Sequence, residues 1–166
     1  MRVLSLFANV GFGEFYFKDH GFEVVVANEL LQDRVDFYKV LHPSTPHVIC
    51  GDICEKSIRD SIIQACQDSG PIDLIVATPP CQGMSIANAQ RSSDDVRNKL
   101  IVYAMEIYSA LNAKYMMIEN VPAMLNTYIN YNGDPIRIID FINSKIPSSH
   151  QCHSKVLNGK HFGTAQ

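Results

Sequence analysis

Short β-rich apolar runs alternate with stretches of helical periodicity along most of this chain, and that alternation restricts the fold more than any other feature. Runs at 3–7, 23–28, 47–50, 72–77 and 115–118 read as strands. Between them, Leu31, Val35, Tyr38 and Leu41 recur at helical spacing. His42-Pro43 closes that helix, because the residue before a proline disfavours the helical region. Residues 56–65 put Ile58, Ile62 and Ile63 on one helical face, and 100–111 form a strongly amphipathic helix. A further helix is expected to start within 11–19. Strands that alternate with helices need crossover connections, so the expected class is α/β, a mostly parallel sheet with helices on both faces. At 166 residues, 46% of them apolar, the chain suits one domain with a real core. Residues 83–99 and 126–134 read as loops, 135–142 as a helix and 152–157 as a sixth strand.

Ligands of such sheets sit beyond the carboxyl ends of the strands, and the informative motifs all fall there. After the first strand comes Leu6-Phe7-Ala8-Asn9-Val10-Gly11-Phe12-Gly13. Glycine lets backbone approach a ligand, and a helix start offers free N–H groups. The spacing is not G-x-G-x-x-G, which argues against a dinucleotide. The second strand ends in Asn28-Glu29, where a carboxylate can accept both ribose hydroxyls of a nucleoside. The third ends in Gly51-Asp52-Ile53, where Asp52 can accept from an adenine amino group with Ile53 against the ring. Each has a plainer alternative: Glu29 caps the next helix, and Asp52 forms a turn. Together they favour an adenosine site.

The fourth strand runs into Thr78-Pro79-Pro80-Cys81-Gln82-Gly83-Met84-Ser85, and the fifth into Glu119-Asn120-Val121. A soft nucleophile and a carboxyl group at two strand ends suit an electrophilic, protonatable ring. The plainer readings are that Cys81 packs as a small apolar residue and that Glu119 caps a helix starting near Val121.

A formal net charge of −3 gives no basic footprint for phosphates. No apolar run has membrane-spanning length, and no secretory signal opens the chain. Five cysteines, an odd number without zinc-type C-x-x-C pairs, read as free thiols of a cytoplasmic protein. The histidines have no ligand spacing, so no metal is assigned.

These blocks, in this order, resemble the cytosine-C5 DNA methyltransferase family. The match is Leu6-Phe7-Ala8-x-x-Gly11, Asn28-Glu29, Gly51-Asp52-Ile53, Pro79-Pro80-Cys81-Gln82-x-x-Ser85 and Glu119-Asn120-Val121-Pro122. The resemblance implies the Rossmann-like S-adenosylmethionine-dependent methyltransferase fold and a bacterial restriction-modification setting, cytoplasmic or nucleoid-associated. It implies cofactor contacts from Phe7, Ala8, Asn9, Val10, Gly11, Glu29, Leu30, Asp52, Ile53, Pro79 and Leu100. Cys81 and Glu119 become the catalytic pair, with Gln82, Ser85, Asn120 and Val121 at the substrate. Cys81 would add to C6 of a cytosine flipped out of duplex DNA, with Glu119 at N3, buried so that its acid form is available. The loop after the cysteine would close over the base. A tRNA-modifying branch shares these blocks, and a third reading is an inactive remnant or S-adenosylmethionine-binding module.

Three positions depart from the first block. Ser5 stands where an aspartate is usual, and Asn9 and Phe12 stand where glycines are usual. The family continues beyond Gln166 with a Gln-x-Arg-x-Arg block, a last core strand, a target-recognition domain and a terminal helix. Residues 1–166 therefore read as a partial cofactor-binding and catalytic domain, incomplete at its C-terminus. The sequence is expected to be either a truncated piece of such an enzyme or one half of a split one whose second chain supplies the rest, and little or no activity is expected of the isolated chain. Strand 115–118 is expected to have an open edge.

Overall fold

The computed structural model describes residues 1–81 and 99–163. Five parallel strands form one sheet in the order β3-β2-β1-β4-β5. They are β1 (Arg2–Leu6), β2 (Glu23–Glu29), β3 (His47–Cys50), β4 (Leu74–Ala77) and β5 (Tyr115–Ile118). The helices are α1 (Gln32–Leu41), α2 (Lys56–Ser69) and α3 (Leu100–Leu111). β1 lies at the centre, and the chain builds outward first to β3 and then, from β4, to β5. The reversal between β1 and β4 opens the crevice that parallel sheets use for ligands.

Side-chain alternation along β1 explains the two-sided core. Leu4 and Leu6 face α2 and α3, where Ile62, Ile101, Met105 and Ile107 are all but inaccessible. Complete burial stabilises each such side chain by about 1.5–3 kcal/mol. Val3 packs on the opposite face with Ala27, Val76 and the fully buried Tyr38 of α1. Ser5, also fully buried, donates its hydroxyl to Glu14.

Several expectations are corrected. The segment after Gly11 is not an α-helix but two 3-10 turns, Phe12–Glu14 and Lys18–His20. Gly13 lowers helix propensity within it, and Gly21, at φ 77°, stops the chain after one short stretch. Helix α2 runs one turn longer than 56–65, and β4 starts two residues later than 72. The stretch 126–134 is not a loop: β6 (Tyr128–Tyr131) and β7 (Asp134–Arg137) form an antiparallel hairpin. Its turn is Asn132-Gly133, with φ of 56° and 94°, and asparagine-glycine is the pair that best tolerates positive φ at both central positions. The helix placed at 135–142 begins after Pro135, as α4 (Ile138–Lys145). Residues 152–157 form no strand and are exposed. Without a ladder partner their backbone groups remain with solvent.

β5 is the last strand of its sheet among the described residues, so the side away from β4 is open. Tyr115 and Met117 are exposed on one face of β5, while Met116 and Ile118 pack on the core from the other. No helix of the described residues is long and apolar enough to cross a membrane.

Candidate active site

The loop leaving β1 is built from left-handed residues. Phe7, Asn9 and Gly11 have φ of 59°, 51° and 84°. Asn9 takes the conformation its side chain tolerates, whereas Phe12 does not have positive φ and so escapes the strain that a missing glycine threatened. Phe7 is the unexpected member, since a bulky residue in that region marks a constrained site. The loop is fastened to its neighbours: Ala8 N donates to Asn28 O (3.0 Å), and Thr78 Oγ1 donates to Phe7 O (3.2 Å).

Glu29, only 6% exposed, ends β2. Its Oε2 accepts from Asn9 N (3.0 Å), its Oε1 accepts from Leu31 N (3.3 Å), and Arg34 Nη1 lies 3.5 Å from Oε1. It thus joins the loop to the first turn of α1, and the capping alternative is present in part. A carboxylate has about four acceptor positions, so capacity remains for two hydroxyl donors. Beside it, Asn28 Nδ2 donates to Ile49 O and Gly51 O, both at 3.1 Å, locking the end of β3 to that of β2. Asp52 follows; its Oδ1 accepts from Cys54 N (2.8 Å) in a tight turn. Burial, and then the bond with Asp52, push the Cys54 thiol up to about 11.

These strand ends enclose a cavity of about 260 Å³. Of the residues assigned to the cofactor, Phe7, Asn9, Glu29, Leu30, Asp52, Ile53 and Leu100 line this cavity, and Asn28, Leu31, Arg34, Gly51, Thr78 and Pro80 line it too. Ala8, Val10, Gly11 and Pro79 do not. Ala8 is buried among Val3 and Val76 on the α1 face, and Gly11 is wedged beneath His42 and Tyr38. Pro79 is buried with its carbonyl occupied, so the exposed Pro80 takes its place at the rim. Arg34 could have been found from its place one turn into the helix that Glu29 introduces.

Cys81 and Glu119 leave neighbouring strands. Ala77 pairs with Ile118 across the β4–β5 ladder, and Glu119 N donates to Ala77 O (3.0 Å). Past the ladder, Asn120 ties the loops together: Nδ2 donates to Pro79 O (2.9 Å) while Oδ1 accepts from Val121 N (2.8 Å). Cys81 is a half-buried free thiol. Glu119 is exposed, so the expected burial is not met among the described residues. Nor does it cap the turn Pro122–Asn126; the bond at its start comes from Asn120, and Val121 packs on the core. Gln82, Ser85 and most of the 83–99 stretch lie outside the described residues.

The family model of the C-5 cytosine-specific DNA methylase matches residues 1–166. Type II methyltransferase M1.HgaI of Avibacterium volantium is 35% identical over 98% of this chain and 46% of its own length. Type II methyltransferase M.NgoPII of Neisseria gonorrhoeae is 31% identical over 100% of this chain and 45% of its own. The chain therefore spans about half the length of these curated relatives. Among solved structures, a putative DNA modification methyltransferase encoded within an E. coli prophage superposes with a TM-score of 0.65, at 27% identity, over 88% of this chain and 37% of that one. Spodoptera frugiperda DNMT2 shares the fold with a TM-score of 0.60 at 22% identity, over 87% of this chain and 40% of that one.

Proposed function

The chain belongs to the C-5 cytosine-specific DNA methylase family, and we propose that it carries the cofactor-binding and catalytic part of an enzyme that methylates C5 of cytosine in DNA, using S-adenosylmethionine. The observation that carries this reading is the bridge from Asn120 to Pro79 O, which joins the cysteine loop to the glutamate loop beside a nucleoside-sized cavity. The cavity's donor set suits adenosine. Glu29 offers a carboxylate with spare acceptor positions to ribose hydroxyls, Asp52 offers one to the adenine amino group, and Ile53, Leu30 and Leu100 give the base apolar walls. When bound, S-adenosylmethionine supplies an electrophilic methyl group.

The acceptor is a cytosine, taken out of the DNA stack because an atom inside a duplex is beyond reach of a side chain on a strand end. The Cys81 thiolate adds to C6 and breaks aromaticity, which makes C5 nucleophilic. Glu119 holds a proton at N3 as negative charge builds there. Once C5 carries the methyl group, loss of the C5 proton expels the thiolate and restores both Cys81 and the ring. Gln82, Ser85 and Val121 complete the substrate side of this proposal, with Asn120 acting through the loop it holds.

The test uses the whole protein with radiolabelled cofactor, duplex DNA and tRNA. Methyl transfer to C5 of DNA cytosine, abolished by Cys81→Ser, is the expected result. A duplex carrying 5-fluorocytosine should trap a covalent complex, since fluorine cannot leave as a proton does. Transfer that survives Cys81→Ser overturns the mechanism, and transfer to tRNA alone overturns the choice of polymer.

A further inference from the structure

We propose that His42 is a positioning residue for the cofactor cavity: it latches the far end of the loop whose near end lines that cavity. The inference rests on the cofactor reading above. Three left-handed residues within positions 7–11 make a shape that persists only where its surroundings over-determine it. Hydrogen bonds from Ala8 N to Asn28 O, from Asn9 N to Glu29 and from Thr78 to Phe7 O fasten the part from Phe7 to Asn9. At Gly11 the fastening passes to His42, whose Nε2 lies 2.9 Å from Gly11 O.

The contact leaves no slack. A Cβ on Gly11 would stand 2.2 Å from His42 Nε2 and 2.8 Å from Tyr38 Cε2. His42 is itself held, because it ends α1 with its N–H on Tyr38 O (2.8 Å) and its ring 4.6 Å from that of the buried Tyr38. The Tyr38 hydroxyl is buried without a well-formed hydrogen bond, so ring packing sets its position.

One helix therefore serves both sides of the cavity. The first turn of α1 holds the Glu29 carboxylate through Leu31 N and Arg34, and its end holds the loop through His42. Asn9 N–H joins the two by donating to Glu29 Oε2. With Nε2 protonated, the imidazole donates to Gly11 O, which also accepts from Glu14 N at 3.3 Å; without the imidazole that carbonyl keeps only the longer of its two bonds. Asn9 N–H and Glu29 then lose their shared register.

The experiment compares the parent with His42→Ala and with His42→Gln, whose side-chain amide can donate to the same carbonyl. Calorimetry measures S-adenosylhomocysteine affinity, and hydrogen exchange measures protection of the Asn9 amide without any ligand. His42→Ala should weaken binding and lower Asn9 protection by roughly 3- to 10-fold, the worth of one neutral hydrogen bond, and His42→Gln should recover most of both. A merely structural residue would lower the unfolding midpoint in both variants without this recovery. Parent-like Asn9 protection in His42→Ala overturns the latch whether or not ligand binds. A parent chain that binds no S-adenosylhomocysteine overturns the cofactor reading instead.

Discussion

Replacing Asn120 by alanine removes two hydrogen bonds at once and isolates what that side chain does. The lost contacts are Nδ2 to Pro79 O at 2.9 Å and Val121 N to Oδ1 at 2.8 Å. At about 0.5–1.5 kcal/mol net for each, the cost to stability is about 1–3 kcal/mol. For a urea dependence of about 1–3 kcal/mol per molar, the unfolding midpoint should fall by roughly 1 M. Catalysis should suffer more. Pro79 is two residues before Cys81, and a displacement of about 1 Å at a reacting group costs on the order of 100-fold in rate. Asn120 does not line the cofactor cavity, so S-adenosylhomocysteine affinity should stay within about twofold of the parent. Asn120→Asp keeps the acceptor for Val121 N but turns a carboxylate toward the Pro79 carbonyl, and should do no better. Urea titration followed by circular dichroism, calorimetry and methyl-transfer assays of the whole protein give the three readings. An Asn120→Ala variant with an unmoved midpoint and parent-like transfer would refute the bridge as the element that sets the two loops.

Gly11→Ala puts a side chain at φ 84°, costing about 1–2 kcal/mol, and overpacks His42 and Tyr38, costing about 1–3 kcal/mol more; chemical unfolding should show the sum, and His42→Ala in the same chain should relieve part of it. Glu29→Gln trades a charged acceptor for a weaker one and should loosen S-adenosylhomocysteine by about 10- to 100-fold, whereas less than twofold in calorimetry counts against the ribose assignment. Burial pushes the Cys66 thiol up to about 12, and burial with Asp52 takes Cys54 to about 11, so near pH 8 iodoacetamide should modify the exposed Cys152 well before either; early loss of Cys66 by mass spectrometry contradicts this. The hydrogen bond from Lys114, at 2.7 Å, and then that from Arg2 N hold the Asp73 carboxyl below its usual range. A carboxyl with a depressed folded pKa stabilises above its unfolded pKa, and the contribution disappears as pH falls through the folded one. Asp73→Asn should therefore lower the melting temperature near neutral pH, and the gap to the parent should close in acid.

Most of the sheet was legible because its central strands, β1, β2 and β4, are largely buried on both faces and read as unbroken apolar runs. β3, α3 and β5 have the bounds that periodicity assigned them. Misreadings gathered where turn chemistry outweighs periodicity. Asn132-Gly133 is a strong hairpin signal, but the polar tract around it concealed the flanking strands, Tyr128–Tyr131 and Asp134–Arg137. At 152–157 weak alternation suggested a strand, yet alternation forms none without a neighbour to share its hydrogen bonds.

In the site, residue types and their order along the chain suggested the proposed chemistry: a carboxylate after β2, another after β3, a prolyl-cysteine after β4, a glutamate after β5. Which of those side chains reach one cavity was decided in three dimensions. Gly11 belongs to the loop motif, yet it faces α1, because three left-handed residues turn the chain under His42. Pro79 and Pro80 are indistinguishable in sequence, and only the bond from Asn120 shows which one is buried. Arg34 comes to Glu29 because only two residues separate the end of β2 from the start of α1. Local preference is set by neighbours along the chain, whereas a site is set by strand order and by the hydrogen bonds that join one strand end to the next.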